Sequence, residues 1–199
     1  MGRVVPAVVV GTFLLGLLGA PRASTATPVL QINAGILTGA LNVDVGGSLY
    51  DVEFLDGSCV ALFSGCDDAA DFTFQTEAAA LLAVQALLDQ VFVDGPQGNF
   101  DSQPLLTAGC QGAGDSCTAA VPFELFLPDS LIVAAAGNSA TEGDDGVAVV
   151  DGQFPAGVTS DFAFYARFTP ARPVPEPTTL LLLGTGVAGV LAKMRRRRT

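Results

Sequence analysis

The sequence predicts a mostly β body, with antiparallel sheets in a β-sandwich-like arrangement and one amphipathic helix, followed by a single C-terminal transmembrane helix. Three observations carry this. Apolar and polar residues alternate with period two through much of the chain, as strands with one buried and one wet face require. One segment, Thr76 to Phe92, is instead rich in Ala, Leu and Gln at helical spacing. A charge-free run from Thr178 to Ala192 precedes Lys193 and four consecutive arginines.

The first element is a secretory signal. Arg3 and the amino terminus make a small positive region, and Val4 to Leu18 is an uncharged apolar run of 15 residues. Ser24-Thr25-Ala26 places small residues where a signal peptidase needs them, so residues 1–26 read as a signal peptide cleaved after Ala26. The run is short for an uncleaved anchor, which needs about 20 residues.

The body, residues 27–173, opens with strand patterns. Leu30, Ile32, Ala34 and Ile36 fall on one face. Leu41, Val43 and Val45 alternate with Asn42 and Asp44, and Gly46-Gly47 then turns the chain into Tyr50, Val52 and Phe54, which alternate with Asp51 and Glu53. That is a hairpin with one apolar and one acidic face. Further strands are expected at Val60 to Phe63, around Phe72 and Phe74, at Phe123 to Leu127, Leu131 to Ala135 and Val147 to Val150, and through Phe162, Phe164 and Phe168. Thr76 can cap the helix and Glu77 suits its positive end, with Leu81, Val84, Leu88 and Phe92 as its packing stripe. Residues 94–104 and 137–146 have loop composition.

Cys59, Cys66, Cys110 and Cys117 form two C-x6-C pairs. An even count in an exported chain points to disulfides, and of three connectivities the local one, Cys59–Cys66 and Cys110–Cys117, asks least of the loops. Zinc is disfavoured because structural sites mostly use shorter C-x2-4-C knuckles.

Charge is distributed unevenly. The chain holds nine basic and 20 acidic residues, but the span 27–173 holds only Arg167 and Arg172 against 19 carboxylates, a formal charge of −17. So acidic a body does not bind nucleic acid, whose phosphates it repels. With no histidine in the chain, the commonest general base and zinc ligand are missing, and the body is expected not to be an enzyme. A carboxylate-dependent hydrolase acting on polysaccharide is the alternative. Asp67, Asp68, Asp94, Asp101, Asp144 and Asp145 crowd short turns and are weak calcium candidates, although no EF-hand spacing is present and exposed turns use Asp in any case.

The tail comes last. Pro175-Glu176-Pro177 keeps its segment extended, since proline fits neither a regular helix nor a central strand. The uncharged stretch that follows spans about 22 Å as a helix, and reaches a bilayer's thickness when counted from Pro175 with Lys193, Arg195, Arg196, Arg197 and Arg198 snorkelling as a cytoplasmic membrane stop. Gly184-x-Gly186-x-x-Gly189 matches a dinucleotide fingerprint, but no strand precedes it; Gly184, Ala188 and Ala192 instead form a small-residue stripe. The order of Pro-Glu-Pro, hydrophobic helix and arginine cluster over residues 174–199 resembles the PEP-CTERM sorting signal of Gram-negative bacteria.

The resemblance implies export by the Sec machinery, transient anchoring in the inner membrane and processing by exosortase, a membrane-embedded cysteine transpeptidase. Pro175, Glu176 and Pro177 would be its recognised strip. It further implies a final place at the cell surface or in the exopolysaccharide matrix of a biofilm, where polysaccharide or other surface proteins would be the partners. The expected function is accordingly that of an exported structural or interaction protein, with a calcium-binding adhesin-like module as a further alternative. A halophilic surface protein with no specific ligand is a third possibility for so acidic a body.

Overall fold

The computed structural model describes residues 27–111, 114–127, 130–141, 143–157 and 163–172. The expected signal peptide, transmembrane helix and arginine cluster lie outside these residues, and no helix within them is long and apolar enough to cross a membrane. The strands are β1 (Val29–Asn33), β2 (Ile36–Val45), β3 (Ser48–Leu55), β4 (Asp94–Gly95), β5 (Gly98–Asn99), β6 (Ser116–Leu127), β7 (Ser130–Ser139), β8 (Gly146–Pro155) and β9 (Ala163–Pro170). Two helices interrupt them, α1 (Cys59–Leu62) and α2 (Glu77–Gln90).

Seven strands form one sheet in the order β1-β2-β3-β9-β6-β7-β8, while β4 and β5 make a separate small hairpin. All pairings in the large sheet are antiparallel except β6 with β9, which run parallel through Thr118–Ala120 and Ala163–Tyr165. The β-sandwich expectation is therefore corrected among the described residues. A helix, not a second sheet, covers one face. Val52, Phe54, Ala119, Val121, Ala134, Ala136, Phe164 and Phe168 form a buried cluster with Ala80, Ala83, Val84 and Leu87 of α2.

The opposite face is covered over its β9-β6-β7 part by the disulfide loop after β3. Phe63, Phe72 and the Cys59–Cys66 pair pack there on Ala120, Leu131, Val133, Ala135 and Tyr165. Strands buried on both faces cannot alternate apolar with polar. This is why β7 reads Val133-Ala134-Ala135-Ala136, all buried, and why simple alternation understates its length.

Several elements depart from expectation for local reasons. Ala34 and Gly35 form a two-residue turn, not part of a strand, so residues 30–36 do not share one face. Val60 to Phe63 is helix α1 and its cap, because the Cys59–Cys66 bridge, at a sequence separation of 7, closes a compact loop. Phe72 and Phe74 belong to no strand; Phe72 enters one cluster and Phe74 the other as the chain crosses between faces. The Thr73 hydroxyl donates to Phe168 O at that crossing.

Helix α2 is capped by Thr76 as expected, with Ala79 N–H donating to its hydroxyl at 3.3 Å. Its deepest line is Ala80, Ala83, Val84 and Leu87, while Leu81 and Leu88 are half-buried and Phe92 lies past its end. Small alanines let the helix sit close on the sheet. The loops expected at 94–104 and 137–146 are shorter than composition suggests: the first contains β4 and β5, and β7 and β8 take up the ends of the second. Gly46 (φ +60°) and Gly47 (φ +91°) make the predicted hairpin turn, with both residues in the positive-φ conformation that a type I′ turn requires.

Candidate functional site

The covering loop stops short of β1, β2 and β3, and leaves their outer face open. There the sheet forms a shallow depression of about 580 Å³ lined by Gln31, Thr38, Leu41, Asp51, Glu53, Arg167 and Thr169 among others. Strand geometry explains the lining. Val52 and Phe54 point into the α2 side, so Asp51 and Glu53 point outward; on β9, Phe164, Ala166 and Phe168 point inward and Arg167 and Thr169 outward. A bulge in β2 between Ala40 and Val43 re-aims Leu41 to the outside, where it is 37 % exposed.

Arg167 organises this surface. Its guanidinium donates to Glu53 Oε2 at 2.5 Å and to Leu62 O of α1 at 3.3 Å, joining β3, β9 and the disulfide loop. Asp51 Oδ1 accepts from Asn42 N–H at 3.1 Å, Thr38 donates to Gln31 O and Thr169 donates to Asp51 O. The surface thus offers carboxylates, a guanidinium, an amide and hydroxyls in one concavity, groups that trade hydrogen bonds with a polar ligand. Position-by-position reading did not single these residues out. The available signal was Arg167 itself, one of two cations in a span of 19 carboxylates.

The four cysteines pair locally, Cys59 with Cys66 at a Cα separation of 5.8 Å and Cys110 with Cys117 at 5.7 Å. The acidic turns are closed by their own carboxylates. Asp68 accepts from Ala70 N–H, and Asp71 accepts from Asp67 and Asp68 N–H. Asp94 Oδ1 accepts from Asp101 and Ser102 N–H at 3.0 and 3.1 Å, which brings Asp94 and Asp101 together. The Ser102 hydroxyl, then its N–H and that of Asp101, hold the Asp94 carboxyl below the ordinary carboxylate range. Asp145 accepts from Ser139 N–H at 2.7 Å, while Asp144 donates its own N–H to Thr141 O. Among the described residues no three metal-ligating side chains gather into one group.

Pro175, Glu176 and Pro177, with Lys193 and Arg195 to Arg198, lie outside the described residues. The structure shows how the body hands the chain to them. Strand β9 is the central strand of seven, it ends at Pro170, and Ala171 N–H donates to Leu49 O at 2.9 Å.

The family model of the PEP-CTERM protein-sorting motif matches residues 173–198. No curated protein and no solved structure matches the chain. The chain therefore carries an exosortase-type sorting motif, which marks an exported protein anchored in the membrane in transit, on a body with no other family match.

Proposed function

We propose that this chain, premised on its PEP-CTERM motif, is a structural or interaction component of the cell surface or exopolysaccharide matrix, delivered there by exosortase processing. The body acts by binding and not by turnover. The observation that carries this reading is the pairing of the sorting motif with a disulfide-held sheet that has an open concavity lined by hydrogen-bonding side chains. Such a lining suits a hydroxyl-rich polymer, and a neutral one, because the charge of −17 repels acidic polysaccharides.

Glu176→Lys, or removal of residues 174–199, should release the protein from the cell surface; an unchanged distribution in fractionated cells would overturn the sorting part. Arg167→Ala, which frees Glu53 and the α1 loop, should weaken retention on a neutral polysaccharide column at least as much as on an acidic one. Calcium belongs to the same reading as a weak ligand of the exposed turns, supported by the solvent-facing carboxylates of Asp67, Asp68, Asp94, Asp144 and Asp145. Calorimetric titration at fixed ionic strength should show saturable heat with calcium; its absence would remove calcium from the picture.

A further inference from the structure

The single parallel pairing has a consequence for the sheet's edges. Strand direction reverses from β1 to β2, β3 and β9, is kept from β9 to β6, and reverses again at β7 and β8. Strand β8 therefore runs opposite to β1. In a seven-stranded sheet with only antiparallel pairings the two edges would run the same way. Here, two copies in one orientation, displaced sideways by a sheet's width, bring β8 of one beside β1 of the next in the antiparallel sense.

Among the described residues no strand pairs with the outer side of β1 or of β8. Natural edges are normally blunted by charge, by proline or by a bulge. Val29–Asn33 carries no charge, nor does Gly146–Val150, and each stretch is five residues long. Beyond Asp151 the register with β7 shifts at Gly152 (φ +64°), so the regular part of β8 matches β1 in length. The register shift within the β1–β2 pair, between Gln31 and Ile32, places its extra residue, Thr38, on β2 and not on the edge strand. Val29 is 49 % and Val147 37 % exposed. Two bodies of charge −17 repel one another over most of their surface, and these neutral stretches are where contact costs least. The central strand β9 also leads into the sorting motif through only Ala171 and Arg172, so copies held by their tails share one orientation and turn their edges toward one another.

We propose that exported copies of this chain join edge to edge, β8 of one pairing antiparallel with β1 of the next, to extend one continuous sheet. The contact is heterologous and does not close on itself, so it grows into filaments or rows and not into a dimer. The shared orientation rests on the sorting reading, whereas the complementarity of the edges does not.

The test uses the full chain in membranes. Native cysteines are all paired, so added thiols report position. Antiparallel pairing sets Val29–Asn33 against Val150–Gly146, so position 33 of one copy lies beside position 147 of the next, and both are exposed. An Asn33→Cys chain is therefore co-produced with a Val147→Cys chain and treated with a short bifunctional maleimide. The mixture should yield cross-linked dimers, each variant alone should remain monomeric, and a chain carrying both changes should yield a ladder. Monomers throughout, or either variant cross-linking to itself as well as to the other, would overturn the proposal. Ala148→Asp on one edge and Val29→Asp on the other should each abolish the ladder without moving the thermal midpoint; a ladder that survives both sinks the idea. Failure of sorting shows separately, as loss of export in the same fractionation.

Discussion

At Ala34 a non-glycine residue holds φ +51° beside Gly35 at +85°, in the exposed turn between β1 and β2. The left-handed conformation costs an L-residue with a Cβ about 1 kcal/mol, less for asparagine, which bonds its own backbone. Ala34→Asn should therefore raise unfolding stability by about 0.5 to 1 kcal/mol in urea titration. Gly39 is the converse case, since a Cβ there would collide with the Val52 carbonyl, and Gly39→Ala should be strongly destabilising. Tyr165 carries a pH signature. Burial beneath the disulfide loop pushes its hydroxyl up to about 12 from 10.0. The folded state thus keeps a proton that the unfolded chain gives up. Its contribution is complete below pH 10 and is lost as pH rises toward 12. Tyr165→Phe should flatten that part of the stability profile, and an identical profile in both proteins would contradict the assignment.

Among elements, the seating of α2 is the most specific. Gln90 Nε2 donates to Asp44 O at 2.8 Å while Asp44 N–H donates to Gln90 Oε1 at 3.0 Å, a two-way clamp between the helix end and β2. Gln90→Ala should cost about 1 to 3 kcal/mol, because it leaves both Asp44 backbone groups unpaired. The disulfide loop is the second such element. Replacing Cys59 and Cys66 together by alanine should remove about 2 to 4 kcal/mol, and should expose Phe63, Phe72 and Tyr165, which cover one another edge to face. Increased binding of a hydrophobic dye to the folded variant reports that uncovering. Pro122 shows how neighbours set a strand's rules. It lies in central β6, yet β9 pairs only with Thr118–Ala120, so the side of β6 facing β9 is already free where proline lacks its N–H.

For the whole molecule, charge dominates. With two cations against 19 carboxylates in residues 27–173 and the Arg167–Glu53 pair on the surface, net repulsion opposes compaction of the body. Raising sodium chloride from low salt to physiological ionic strength should raise the thermal midpoint, as the screening length falls to about 8 Å. A midpoint that falls with salt would mean that specific ion pairs outweigh the general repulsion. The same charge confines self-association to the neutral edges, and so links stability to assembly.

The sequence by itself determined the sorting tail, the Gly46-Gly47 hairpin, the capped start of α2 and the local cysteine pairs, because each depends on residues adjacent in the chain. It carried the strands' existence but understated their ends, since alternation vanishes where both faces are buried, as at Val133 to Ala136. Only the tertiary structure decided that a helix replaces a second sheet, that β9 inserts between β3 and β6, and that Arg167 meets Glu53 across 114 residues of chain. Those outcomes depend on which surfaces compete to cover the sheet and on strand order, and neither is encoded in the spacing of neighbouring residues.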